Sequence, residues 1–147
     1  MNSNSVTSRI HRSAIAAVAG ALALAAGLAM AHDVKIKLTG AEEVPPVTTT
    51  ATGSGTITVG ADKAVSGSVK TTGIEGLAAH IHQAAPGKNG PPIITLTKGA
   101  DSSWTVPDGA VLTDAQLAAY KAGELYVNVH SAANKGGEIR AQLKPAK

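Results

Sequence analysis

Apolar and polar residues alternate along most of this chain, and that period of two restricts the fold more than any other feature. Val34–Leu38 places three apolar side chains on one face, and Gly55–Val59 repeats the pattern. Successive side chains of a β-strand point to opposite faces, so the alternation predicts strands with one face buried. Further candidate strands are Ala64–Val69, Ala78–His82, Ile93–Leu96, Leu125–His130 and Glu138–Leu143. The sequence therefore predicts an all-β protein.

One segment departs from this alternation and predicts a short helix near residues 113–122. Thr113 and Gln116 have the spacing of a capping box, and the residues that follow favour helix. Gly123 suits the end of a helix. Seven short strands separated by turn residues, with a single helix, predict a β-sandwich of immunoglobulin-like architecture.

The first 31 residues predict an export signal. Two arginines and no acidic residue precede an apolar stretch, and Ala29 and Ala31 supply the small residues of a cleavage site. The apolar stretch is rich in alanine and interrupted by glycine, which makes it short and weakly apolar for a membrane span. We expect a signal peptide at 1–31, one domain at 32–147, and a periplasmic or secreted protein. An uncleaved N-terminal anchor is the alternative.

Composition excludes several classes of function. The chain has no cysteine, so it has neither a disulfide nor a thiolate metal site. It has no phenylalanine, so aliphatic residues and alanine must form the core. Of the 13 basic residues two lie in the predicted signal, which leaves 11 against 10 acidic residues. Without a basic cluster or an aromatic platform, nucleic-acid binding is not predicted.

Three histidines on two predicted strands form the candidate metal site. His80 and His82 are two residues apart, so their side chains project from one face. His130 lies on the polar face of the strand Leu125–His130. If the two strands lie together in one sheet, three imidazoles converge, and neutral imidazole is a ligand of copper and zinc. We predict a copper site, with zinc as the alternative metal.

His32 is a candidate fourth ligand. Cleavage after Ala31 would make it the first residue, whose α-amine and imidazole can both bind one metal ion. Such a nitrogen-rich site favours Cu(II) over hard cations. The alternative for each of these histidines is a surface side chain that only titrates and forms hydrogen bonds.

The carboxylates do not indicate a catalytic site. Glu42 and Glu43 precede two prolines, which predicts a solvated turn, and Glu138 and Arg140 alternate with apolar residues, which predicts a solvent-facing row. The sequence contains no Ser–His–Asp arrangement and no phosphate-binding glycine loop. Because no general acid or base stands out, an enzyme is not the favoured class.

Four segments resemble the CHRD domain, which was first described in chordin and also occurs in exported bacterial proteins. They are LTGAEEVPPV at 38–47, AHIH at 79–82, YVNVH at 126–130 and GEIRAQL at 137–143. They occur in the order of the family, and the resemblance covers almost all of residues 33–144. It implies a β-sandwich domain and little about function.

A second, weaker resemblance concerns the metal site. Residues 69–82 and 125–130 are similar to the copper-ligand strands of copper/zinc superoxide dismutases. This resemblance implies copper-ligand positions for His80, His82 and His130, and a superoxide-dismutase-like Greek-key β-sandwich. Nothing matches the bridging histidine, the zinc-ligand loop, the disulfide or the active-site arginine of those enzymes, so efficient dismutation is not expected.

Three hypotheses for the function follow. The favoured one is an exported copper-binding protein that serves in copper storage, delivery or tolerance, with a metal ion as its partner. The second is a mononuclear copper redox enzyme, and the third is an extracellular interaction module without metal. We expect neither nucleic-acid binding nor a membrane span after cleavage of the signal. A homodimer that completes the metal site is left open.

Overall fold

The described part of the chain folds into nine β-strands and one α-helix. The structure is a computed structural model that describes residues 31–146. The strands are β1 (His32–Thr39), β2 (Thr52–Val59), β3 (Val65–Thr72), β4 (Ala78–Gln83), β5 (Pro92–Thr95), β6 (Thr97–Lys98), β7 (Ser103–Thr105), β8 (Leu125–His130) and β9 (Ile139–Leu143). The helix α1 is Asp114–Lys121, and Gly40–Glu42 form one 3-10 turn. The predicted all-β fold is confirmed. The predicted signal peptide, apart from Ala31, lies outside the described residues.

All nine strands belong to one hydrogen-bonded order, β5-β4-β8-β9-β1-β2-β3-β7-β6. Every neighbouring pair in it is antiparallel. The strands β5 and β6 are the two ends of this order, yet only Leu96 separates them along the chain. The sheet must therefore curl until its ends meet, which gives a nearly closed barrel or sandwich around one core. The backbone N–H of Leu96 closes this junction by donating to the carbonyl of Ala79 on β4 at 2.9 Å.

The core lies inside the curled sheet and is largely aliphatic, as predicted from the composition. Leu38, Ile57 and Val127 are completely buried, and they come from three different strands. Trp104 on β7, which is 2% exposed, adds the largest apolar side chain. Burial of such side chains is the main favourable contribution to folding, and it allows a chain without cysteine to fold.

The seven predicted strands are all present, and the two that the sequence did not predict are the shortest. β6 has two residues and β7 has three. Alternation over so few residues cannot be distinguished from chance, because a period of two needs about four residues to be recognised.

The predicted helix is confirmed together with its capping box. The Thr113 hydroxyl accepts from the backbone N–H of Gln116 at 3.2 Å, and the Gln116 side chain accepts from the backbone N–H of Thr113 at 2.8 Å. Gly123 follows the helix with a φ of 75°, a conformation that favours glycine. Within residues 31–146 no helix is long and apolar enough to cross a membrane.

Candidate metal centre

The pairing of β4 with β8 brings the three histidines together. In this antiparallel pair His80 lies opposite Asn128, and His82 lies opposite Tyr126. Residues directly opposite each other share a face, and so do residues two apart on one strand. His130, which is two residues from Asn128, therefore projects from the same face as His80 and His82. The sequence-based prediction that His80, His82 and His130 share one face of the sheet is confirmed.

The three imidazoles are close enough to share one metal ion. His80 Nδ1 lies 2.9 Å from His130 Nε2, and one ring nitrogen from each of the three residues lies within 4.8 Å of the others. Nitrogen ligands about 2.0 Å from one metal ion are separated by roughly 2.8 Å when the angle between them is 90°. The 2.9 Å separation therefore fits two nitrogens on a single ion.

Hydrogen bonds to backbone carbonyls determine which ring nitrogen of His82 and of His130 keeps a lone pair. His82 Nδ1 lies 2.9 Å from the carbonyl oxygen of Gly90, and His130 Nδ1 lies 2.8 Å from that of Lys135. A carbonyl oxygen only accepts, so each Nδ1 carries the proton and donates it. In the neutral rings both Nε2 atoms are then lone-pair donors to a metal. Hydrogen bonds of this kind orient the histidine ligands of known metal sites.

One of these lone pairs has no use within the protein. His82 Nε2 is buried and has no hydrogen-bond partner among the described residues. Buried polar atoms are nearly always partnered, and leaving one unpartnered costs about 1–3 kcal/mol. A metal ion bound by Nε2 would remove that cost. The donor set and this unpartnered atom together fit a metal ion.

The electrostatics of the site favour the neutral form of His80 and His82, in which a ring nitrogen can bind a metal. Burial lowers the pKa of His80, and the neighbouring His130 and His82 lower it further. Burial also lowers the pKa of His82. His80 and His130 are half-buried, whereas His82 is 8% exposed. The site therefore has one buried ligand and opens to solvent beside the other two.

The loop of residues 84–91 holds the buried His82 in place. The carbonyl of Gly90 accepts from His82, and the backbone N–H of Gly90 donates to the Tyr126 hydroxyl at 3.2 Å. The Tyr126 ring stacks on His82, with 4.8 Å between ring centroids and 7° between planes. A Cβ on Gly90 would collide with the carbonyl of Gln83. The sequence pattern did not predict that Gly90 and Tyr126 support the site, although Asn89-Gly90 is a recognisable turn signal.

The structure does not bring His32 to the other three histidines. A row of paired residues crosses the sheet from Thr39 through Arg140 and Asn128 to His80. His32 is at the opposite end of β1 from Thr39, roughly 23 Å away at the rise of a strand. Its carbonyl accepts from the Tyr120 hydroxyl of α1 at 3.4 Å. The group of neighbouring histidines in the described residues therefore consists of His80, His82 and His130, without His32.

Two charged residues that were predicted to be solvated are buried beneath loops next to the site. Arg140 is 1% exposed and Glu43 is 4% exposed, whereas the neighbouring Glu42 is exposed. Both predictions were wrong because loops cover the outer face of β8 and β9. Asn89, in the loop of residues 84–91, connects that loop both to the loop that contains Val44 and to β9. Its amide donates to the Val44 carbonyl at 2.7 Å, and its oxygen accepts from Arg140 at 3.2 Å.

Burial changes the ionisation of Glu43. It raises the pKa of the Glu43 carboxyl from 4.5 to about 7, although the charge of Arg140 and a hydrogen bond with Asn128 act in the opposite direction. Glu43 Oε1 and Asn128 Oδ1 are both buried acceptors without a partner among residues 31–146. A Cβ on Gly137 would collide with the Glu43 carboxyl, which explains glycine there, with a φ of 133°. The loops next to the candidate site therefore cover a carboxyl that holds its proton to a higher pH than an ordinary glutamate does.

Comparison with known proteins gives one match. Residues 34–143 match the family model of the CHRD domain. Neither the comparison with curated proteins nor that with solved structures gave a match.

Proposed function

The chain belongs to the CHRD domain family, and we propose that this member is an exported copper-binding protein with His80, His82 and His130 as its ligands. Its role would be the storage or delivery of copper, or tolerance to it. One observation carries the proposal: backbone carbonyls hold the Nδ1–H groups of two of these rings, so that both rings present an Nε2 lone pair next to the third ring.

The ligand types support copper over other metals. The group consists of three imidazoles and contains neither a carboxylate nor a thiolate. Calcium and magnesium bind through oxygen ligands, so they do not suit it. Among divalent first-row metals, nitrogen sites generally bind copper more tightly than zinc. Zinc is the competing occupant, and metal competition separates the two.

Export is supported by the sequence of the N-terminal segment. The predicted cleavage site after Ala31 immediately precedes β1, so removal of residues 1–31 would leave every described strand intact. Outside the cytoplasm, a cysteine-free ligand set has the advantage that oxidation to a disulfide cannot destroy it.

Copper loading of the processed protein tests the proposal directly. We expect one equivalent of Cu(II) to remain bound after desalting, and its electron paramagnetic resonance spectrum to show three nitrogen ligands. His32→Ala is the matched control: it removes a histidine that is not part of the group of three, so it should leave the stoichiometry, the affinity and the nitrogen count unchanged.

Two results would contradict the proposal. Protein that retains no copper and no zinc after desalting would point to an interaction module whose histidines are only surface groups. Loss of the Cu(II) signal in His32→Ala, with the other three histidines intact, would show that the ion binds at the N-terminus instead.

A mononuclear copper redox enzyme is the second candidate, and the exposure of the site favours it. Because His80 and His130 are half-buried, an ion held there would keep coordination positions open to solvent, as redox catalysis at a metal requires. The discriminating measurement is turnover of superoxide by the copper-loaded protein. Turnover above that of the same amount of free copper would favour an enzyme, and turnover at or below it would favour storage or delivery.

A further inference from the structure

We infer that this site binds monovalent copper in preference to divalent copper, because a buried guanidinium stands behind the ligand His82. The inference rests on the proposed copper function and specifies the oxidation state of the bound metal. It is based on three side chains, Arg140, Tyr126 and His82, which we call the cation stack.

The order of the strands builds the cation stack. β8 lies between β4 and β9, so Tyr126 on β8 has His82 of β4 on one side and Arg140 of β9 on the other. The guanidinium carbon of Arg140 lies 3.4 Å from the Tyr126 ring centroid, and that centroid lies 4.8 Å from that of His82. The positive charge is therefore at most about 8 Å from the centre of the His82 ring, with one aromatic ring between them.

The charge of Arg140 is not cancelled by an ion pair. Its guanidinium donates to two neutral acceptors, Asn89 Oδ1 at 3.2 Å and Gln142 Oε1 at 3.1 Å. Among residues 31–146 the only ion pair is Lys63 with Asp114. The charge of Arg140 acts on Glu43, whose pKa of about 7 leaves its carboxyl largely protonated in weakly acidic solution. Because Arg140 is 1% exposed, solvent screens this charge poorly.

A fixed positive charge near a metal discriminates between oxidation states. Cu(II) carries one more positive charge than Cu(I), so the guanidinium repels it more strongly. At an effective dielectric constant of about 20 and a separation of about 8–10 Å from an ion on His82, one unit of charge changes an affinity by roughly 15- to 30-fold. The three ligands are neutral imidazoles and contribute no negative charge that would favour Cu(II). The charge of the ligand set therefore does not oppose the effect of the cation stack.

Arg140 also has a structural role, and the experiment must separate the two. Its hydrogen bond to Asn89 helps to hold the loop of residues 84–91, whose Gly90 orients His82. Loss of that role would weaken the binding of both oxidation states. Loss of the charge alone would change the ratio of the Cu(I) and Cu(II) dissociation constants, so that ratio is the informative quantity.

The test measures both dissociation constants by competition with chromophoric chelators, anaerobically for Cu(I), at about pH 6 where Glu43 is mostly protonated. We expect wild type to bind Cu(I) more tightly than Cu(II). Arg140→Met should reduce this preference by roughly 15- to 30-fold, whereas Arg140→Lys retains the charge and should retain most of it.

A second variant covers the case in which Arg140→Met fails to fold. Glu43→Gln removes the one carboxyl that can offset Arg140 and leaves the cation stack unchanged. At about pH 8, where the Glu43 carboxyl of wild type is ionised, the variant should show a stronger preference for Cu(I) than wild type does. An equal preference in the two proteins would contradict the inference.

The remaining outcomes distinguish this inference from the proposed function. If wild type binds Cu(II) more tightly than Cu(I), or if folded Arg140→Met keeps the wild-type ratio, the inference fails and copper binding stands. If neither oxidation state of copper binds, the proposed function itself fails.

Discussion

Replacement of both His80 and His82 by alanine is expected to abolish specific copper binding. The double variant keeps only His130, and a single imidazole that is half-exposed offers no more than an ordinary surface histidine does. Loss of one outer-shell partner of a metal ligand already costs about 10- to 100-fold in affinity, so loss of two ligands should exceed that range. Competition titration gives the affinity, and the nitrogen couplings in the electron paramagnetic resonance spectrum should disappear.

The interpretation of this variant depends on an intact fold. His82 is buried and stacks on Tyr126, so its replacement also removes packing. The circular dichroism spectrum and the urea midpoint of the metal-free variant should therefore be compared with those of wild type. His130→Ala is the matched single variant, because it removes a half-buried ligand from the other strand. Copper affinity equal to that of wild type in a folded double variant would exclude this ligand set.

Glu43→Gln is expected to stabilise the protein above neutral pH. The pKa of the Glu43 carboxyl is about 7 in the folded protein against 4.5 for an ordinary glutamate, so between these pH values the folded state binds a proton that the unfolded chain has released. The free energy of unfolding then falls as the pH rises from about 4.5 to about 7, by up to about 3 kcal/mol. Glutamine carries no ionisable group and avoids this loss. Its amide can also donate to the unpartnered oxygen of Asn128.

Urea unfolding at several pH values measures this effect. Other groups titrate in the same range, so the informative quantity is the difference in unfolding free energy between the variant and wild type. We expect that difference to be small near pH 4 and to grow by about 2–3 kcal/mol by pH 8. Glu42→Gln changes the exposed neighbour and should show no such growth. A difference independent of pH would mean that the pKa of Glu43 is the same in the folded and unfolded states, and would contradict the raised pKa.

The sequence was most informative where a pattern extends over a whole element. Strands of five or more residues could be located because their apolar side chains alternate. The shared face of His80, His82 and His130 follows from the same period of two once β4 pairs with β8. The helix could be placed because Thr113 and Gln116 have the spacing of a capping box, a signal contained in four residues.

What could not be predicted depends on contacts between distant segments. Alternation correctly places Arg140 on the outer face of β9, but it does not reveal that a loop covers that face and ties Arg140 to Asn89. The burial of Glu43 has the same origin. Whether His32 lies near the other histidines depends on the position of β1 in the sheet. Local sequence does not determine that position.

The pairing of β4 with β8 has a consequence for the durability of the protein. His80 and His130 are 50 positions apart in the sequence, and the segment between them contains β5, β6, β7 and α1. An ion bound by both would cross-link the chain and close that segment into a ring, as a disulfide does in other exported domains. Such a cross-link would survive thiol reductants but not chelators, so the copper supply of the surroundings would set the lifetime of the folded protein.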